Sequence, residues 1–214
     1  RLLQDFSQYR DWPMRGLYLF FEPGERRSDT GEGDRIVRIG THALTSGSRS
    51  TLRQRLGQHR GSSKGGGNHR GSIFRLLIGQ ALLARGDLPP CPSWGVKGDL
   101  TKAADALNAQ RDSLKIAEEP VEQAVSKYIG HMPFLWLDIS DESSPQSQRG
   151  YIERNTIALL SNCGRNAVDP ASATWLGKHS NRPLVRNSGL WNQRHVSQDY
   201  DPAFLQLLKE LVGA

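Results

Sequence analysis

At 214 residues, 36% hydrophobic content and a net charge of +6, the chain is long enough for one large domain with its own core. No apolar run approaches the roughly eighteen residues a membrane span needs, and no signal peptide opens the sequence. Cys91 and Cys163 are too few and too far apart for a metal-ligand pattern, and such cysteine usage suits a reduced, intracellular protein.

In chain order, residues 1–14 form a short amphipathic lead-in with Leu2, Leu3, Phe6 and Tyr9 available for packing. GLYLFFE (16–22) is aromatic-rich and predicts a buried strand. Residues 23–34 have turn composition throughout, and RIVRIG (35–40) predicts a second strand with imperfect alternation, so an antiparallel hairpin is the simplest arrangement. A connection ending in Ser50 as the candidate cap leads to a helix over TLRQRLGQHR (51–60). Residues 61–72 are glycine-rich but lack the spacing of a phosphate-binding P-loop, and read instead as a mobile basic loop.

IFRLLIGQALLARG (73–86) predicts an apolar helix closed by Gly86. After a proline-held irregular stretch, helices are expected over 101–115 and 117–130, the second opened by Glu118-Glu119-Pro120. MPFLWLDIS (132–140) predicts a third strand and YIERNTIALLSN (151–162) a helix with Ile152, Thr156, Leu159 and Leu160 inward. Residues 163–198 look loop-like, and 201–212 predict an amphipathic closing helix.

Arg55 and His59 are four residues apart, so a guanidinium and an imidazole project from one helical face, a pairing suited to phosphate. From Arg35 to Arg85 the chain has ten Lys and Arg and no acid, and 170–198 is a second acid-free stretch. Such segregation is the footprint of a nucleic-acid-binding face, whereas a merely solvated surface mixes both signs. Arg53, Arg60, Lys64, His69 and Arg70 are the candidate phosphate contacts in the first stretch. Lys178, Arg182, Arg186 and Arg194 fill that role in the second. The two tryptophans and the amides of 175–196 suit DNA contact as well, or Trp175, Leu184, Leu190 and Trp191 pack the segment onto the core.

The succession of strand GLY, strand RIG, helix LRQRLGQH, strand FLWLDIS and helix IERNTIALLSN resembles the GIY-YIG nuclease superfamily. Gly16-Leu17-Tyr18 stands at the first half-motif and Arg38-Ile39-Gly40 at the second, with Gly16 and Gly40 as its supporting glycines. Arg55 and His59 match the helix arginine and a histidine found in some members, Glu153 the metal-binding glutamate, and Asn162 or Asn166 the trailing asparagine. The resemblance covers 16–60 and 132–166, leaving 61–131 as a helical insertion and 167–214 as a C-terminal extension of one domain spanning 1–214. Arg38 replaces the expected tyrosine; Arg38 itself or His42 could substitute for it, though neither reproduces a phenol.

The resemblance implies an α+β fold, a small three-stranded, mostly antiparallel sheet flanked by helices. It also implies a metal-dependent endonuclease of the restriction or repair kind, in a prokaryotic or phage setting. Its partner would be double-stranded DNA, and a homodimer would cut both strands. The residues suit that chemistry. Glu153 is a hard oxygen ligand for one Mg²⁺ or Mn²⁺, and Arg55 can clamp a phosphate bidentately. Tyr18 or His59 would take the proton from water, the phenol only if neighbouring charge lowers its pKa. The alternative is a non-catalytic nucleic-acid-binding module on a degenerate nuclease scaffold.

Overall fold

Strict alternation along the first strand sorts its side chains onto two faces, and each face meets a separate core. The structure is a computed structural model describing residues 1–213. Its strands are β1 (Gly16–Arg26), β2 (Asp34–Gly40) and β3 (Phe134–Asp138). They form one sheet in the order β2-β1-β3 with both pairings antiparallel. The helices are α1 (Leu52–Arg60), α2 (Ile73–Arg85), α3 (Leu100–Ala106), α4 (Arg111–Gly130), α5 (Gln148–Leu160), α6 (Pro183–Ser188) and α7 (Ala203–Val212). Tyr18 and Phe20 join residues of α1, α2 and α4 in the larger core, while Leu17 and Ile39 pack with Ile152 and Ile157 of α5 in the other. This is the expected α+β architecture.

The imperfect alternation of RIVRIG has a local cause. Phe20 pairs with Arg38 but Phe21 with Ile36, so Val37 is the extra residue of a β-bulge. Val37 therefore reaches the same core as Phe20, and the Arg38 guanidinium lies 5.5 Å from the Phe74 ring centroid. Two glycines are demanded by close approach. A Cβ on Gly16 would collide with the Leu137 carbonyl of β3, and one on Gly40 would collide with the Tyr18 ring.

The free edge of β2 is closed by a side chain. The Ile39 N–H donates to Asn192 Oδ1 at 3.1 Å, Asn192 Nδ2 donates to the Ile39 carbonyl at 2.9 Å, and the Trp191 N–H donates to the Val37 carbonyl at 2.7 Å. An asparagine amide thus replaces a strand partner and removes an open edge.

Several element boundaries differ from expectation. β1 continues to Arg26, beyond the turn-rich start at Pro23. The cap of α1 is Thr51, not Ser50, because Thr51 and Gln54 form a reciprocal capping box. α3 ends at Ala106, with Asn108 in a left-handed conformation (φ 48°) just beyond it. α4 then runs unbroken from Arg111 through Pro120, which lies inside the helix and does not open it. Ile116, whose carbonyl loses its helical partner to that proline, is 74% exposed, so water can satisfy it. Residues 163–198 also hold more structure than expected, a short 3₁₀ turn at Leu176–His179 and α6.

The C-terminal segment is tied to the hairpin through buried carboxylates. Glu22 accepts from the indole N–H groups of Trp175 (3.1 Å) and Trp191 (2.9 Å) and from the Tyr128 hydroxyl, while Glu25 binds Arg35 at 2.6 Å. Trp175, Leu190 and Trp191 are core residues, whereas Leu184 is 39% exposed. Burial holds the Glu22 carboxyl above its ordinary value of 4.5, against the hydrogen bonds from Tyr128, Trp191 and Trp175. A raised carboxyl pKa means that the folded state binds the proton more tightly than the unfolded state. Its stabilising contribution is complete below about 4.5 and is lost as pH rises through the folded value. Glu22→Gln keeps an oxygen for both indoles and offers N–H to Tyr128. The variant is expected to be more stable than the parent by about 1 kcal/mol at neutral pH, converging with it in acid. Urea melts across pH check this; a variant less stable at every pH would contradict it.

Candidate active site

Four elements bring their charged side chains to one cleft of about 710 Å³. It is lined by Arg38 at the end of β2, His42 just beyond it, Arg55 of α1, Glu153 of α5 and the stretch Asn192–His195. Arg55 comes to the surface because Leu52 and Leu56 bury the opposite side of α1. Its guanidinium hydrogen-bonds Gln58 at 3.0 Å and no carboxylate. Glu153 Oε1 accepts the Thr41 N–H at 3.0 Å. Burial raises the Glu153 pKa above 4.5, opposed by Arg38, the Thr41 N–H, His195 and Arg55.

Tyr18 and His59 lie behind this surface. The Tyr18 hydroxyl and His59 Nε2 are 2.8 Å apart, His59 Nδ1 is 2.7 Å from Ser72 Oγ, and Tyr18 and His59 are both 0% exposed. Burial, reinforced by Arg55, Arg38 and Arg75, holds the His59 pKa well below 6.5, so the imidazole is neutral at pH 7. The i, i+4 spacing of Arg55 and His59 therefore separates their environments: one lines the cleft and the other joins the core. His42 is buried too, but lines the cleft. Its Nδ1 sits 3.4 Å from Ser50 Oγ, Nε2 has no partner, and burial with the Arg149 charge lowers its pKa to about 4.

Arg38 is 7% exposed and donates to the Trp191 carbonyl at 2.5 Å, while its Nε has no partner. It supplies positive charge to the cleft but no hydroxyl.

The flanking backbone is strained. Ala43 (φ 56°) and His195 (φ 66°) are left-handed non-glycine residues on the cleft wall. Arg149, fully buried, holds the first of these turns by donating to the carbonyls of His42 (3.1 Å) and Ala43 (2.7 Å) while pairing with Asp141.

Other expected site residues fall elsewhere. Asn162 Oδ1 accepts the Val168 N–H at 2.8 Å and Asn166 is exposed; neither lines the cleft, whereas Asn192 does. His69 is not a phosphate contact: it is 2% exposed, donates from Nδ1 to Glu122 at 2.9 Å and stacks on Trp94. Arg70 is taken by Glu118 through two bonds of 2.6 and 2.8 Å. Nor is the 61–72 loop unanchored, because Ser126 Oγ donates to the Gly66 carbonyl at 3.2 Å and Arg75 underlies Gly67.

Of the ten cations between Arg35 and Arg85, Arg35, Arg70 and Arg75 pair with acids brought in by the fold and Arg85 with its near neighbour Asp87. Arg53, Lys64, Lys178, Arg182, Arg186 and Arg194 are exposed, and Arg60 is half-buried. No local sequence pattern singles out Asn192, Arg149 or His195 as site residues.

Among the described residues no group of three or more His, Cys, Asp or Glu is placed to hold a metal ion, and no helix is long and apolar enough to cross a membrane. Glu153, with one oxygen free of protein partners, fits an oxygen-preferring divalent ion bound by one carboxylate and otherwise by water and phosphate. No curated protein and no solved structure matches the chain. A family model described as a GIY-YIG domain does match, over residues 1–214, taking in the stretches 61–131 and 167–214 as well as the two half-motifs. On that match the chain belongs to the GIY-YIG family.

Proposed function

We propose that the protein is a metal-dependent endonuclease that hydrolyses phosphodiester bonds in DNA. The observation that carries this reading is the cleft, where Arg38, His42 and Arg55 surround one carboxylate, Glu153. A surplus of positive charge around a single acid suits a phosphodiester with one divalent ion. Glu153 would hold that Mg²⁺ or Mn²⁺, which supplies charge stabilisation at phosphorus and a more acidic bound water. Arg55, free of any carboxylate, clamps the non-bridging oxygens. Arg38 adds its charge from a fixed position against Trp191.

His42, neutral and with Nε2 unpartnered but buried, accepts the water proton only where substrate and water reach that atom, and an anionic phosphate beside it raises its low pKa toward the working range. Tyr18 and His59 act from behind, as a hydrogen-bonded pair that fixes α1 and so the Arg55 position. Their complete burial also supports a second reading, a nucleic-acid-binding module without turnover.

Supercoiled plasmid distinguishes the two. Nicking with Mg²⁺ or Mn²⁺ that stops with chelator is the expected result. Salt-sensitive DNA binding without nicking in any divalent metal would replace the nuclease with the binding module. A single site cuts one strand, so linear product is expected only where two copies act together.

A further inference from the structure

Beyond the cleft, a groove runs over the outer side of α1. The cleft's side lobe, about 220 Å³, contains Arg55 and ends at Gln58. Gln58 also lines the next hollow, about 620 Å³, floored by Gly57, Gly61, Gly66, Gly67 and Gly71. That hollow shares Gly66, Gly67, Gly71 and Lys115 with a third of about 820 Å³, which reaches α3 and α4. Shared lining residues link these hollows in series from Glu153 to Lys115, and most of the middle floor carries no side chain. We propose that this glycine-floored groove is the path of the nucleic-acid strand leading away from the scissile phosphate. It rests on the nuclease reading above.

The floor is rigid as well as bare. The Arg75 guanidinium, fully buried, lies directly beneath Gly67 and Gly61, and the Ser62 N–H closes onto the Gly66 carbonyl at 2.7 Å. The N–H groups of Gly66, Gly67 and Asn68 have no hydrogen-bond partner among the described residues.

The acids along the groove are largely spoken for. Glu118 is held by Arg70, and Glu122 by Arg75 and His69. Asp99 caps α3 by accepting the Lys102 N–H at 2.9 Å. Asp99 and Glu119 then face Arg111 and Lys115, so the far hollow is close to neutral.

Two floor positions permit a steric test. A Cβ on Gly71 meets nothing within 4 Å, and one on Gly66 comes no closer than 3.7 Å to Ser62 Oγ; neither needs a left-handed backbone. Gly66→Leu and Gly71→Leu therefore fill the groove without disturbing the core. The probes are a short single-stranded oligodeoxynucleotide that spans only the cleft and a long one that reaches Lys115. The unsubstituted protein is expected to bind the long probe about tenfold more tightly, and either leucine to erase that advantage while short-probe affinity stays. Lys115→Glu, which leaves the floor untouched, is expected to weaken long-probe binding and lower the salt slope by about one. A length advantage that survives all three substitutions, or no length advantage at all, overturns the path and leaves the nuclease reading standing. No binding of either probe, together with no plasmid nicking, overturns both.

Discussion

Glu153→Ala is expected to lower metal-dependent plasmid nicking by about 10³-fold or more while DNA affinity changes little. Among the described residues Glu153 is the only carboxylate on the cleft wall, so none of them can take over an ion it loses. Arg55 and Arg38, the proposed phosphate-binding cations, are not its salt-bridge partners within 4 Å and stay in place. Glu153→Gln separates the two jobs of the side chain. An amide oxygen still accepts the Thr41 N–H, now made at 3.0 Å, but the negative charge is gone.

Because burial raises the Glu153 pKa, the charged form costs folding energy once pH exceeds the folded value, and below about 4.5 that cost vanishes. The Gln variant is therefore expected to be at least as stable as the parent near neutral pH and to match it in acid, while losing its activity. Nicking by Glu153→Gln at the parental rate would remove Glu153 from the chemistry. A simultaneous collapse of stability would make it a structural residue.

Arg75→Met is expected to cost about 3–5 kcal/mol of stability, measured by urea unfolding. Arg75 is fully buried and donates to Glu122 Oε2 (2.5 Å from Nη2), the Glu122 carbonyl (2.8 Å), the His59 carbonyl (2.9 Å) and Ser126 Oγ (3.0 Å). Methionine fills much of the volume and satisfies none of these acceptors. Glu122 is left buried with only the His69 side chain and backbone N–H as partners, and an uncompensated buried charge accounts for most of the loss. The residue also joins α1, α2, α4 and the glycine loop at one point, so its loss is expected to loosen the Tyr18–His59 pair. A change below about 1 kcal/mol, typical of a surface ion pair, would show that the network adds nothing.

Much of this protein is local and therefore legible in its sequence. The aromatic-rich run Gly16–Glu22, one-turn spacing of Leu52 and Leu56, and Gly86 as a helix stop are properties of short segments, and they locate the sheet and the major helices. The glycines of both half-motifs answer to neighbouring strand positions, and Arg55, His59 and Glu153 fall on helices as their spacing implies.

Tertiary structure alone decided which of these groups face the cleft. Arg55 and His59, one turn apart, part company because α2 and its Ser72 cap close over the histidine. Arg35, Arg70 and Arg75 look like free cations until Glu25, Glu118 and Glu122 meet them in space. Asn192, not Asn162 or Asn166, reaches the site because it pairs with Ile39, 153 residues earlier. Periodicity reports which way a side chain points from its own element. Its partner across the fold depends on how distant segments pack, and no short stretch of this chain carries that information.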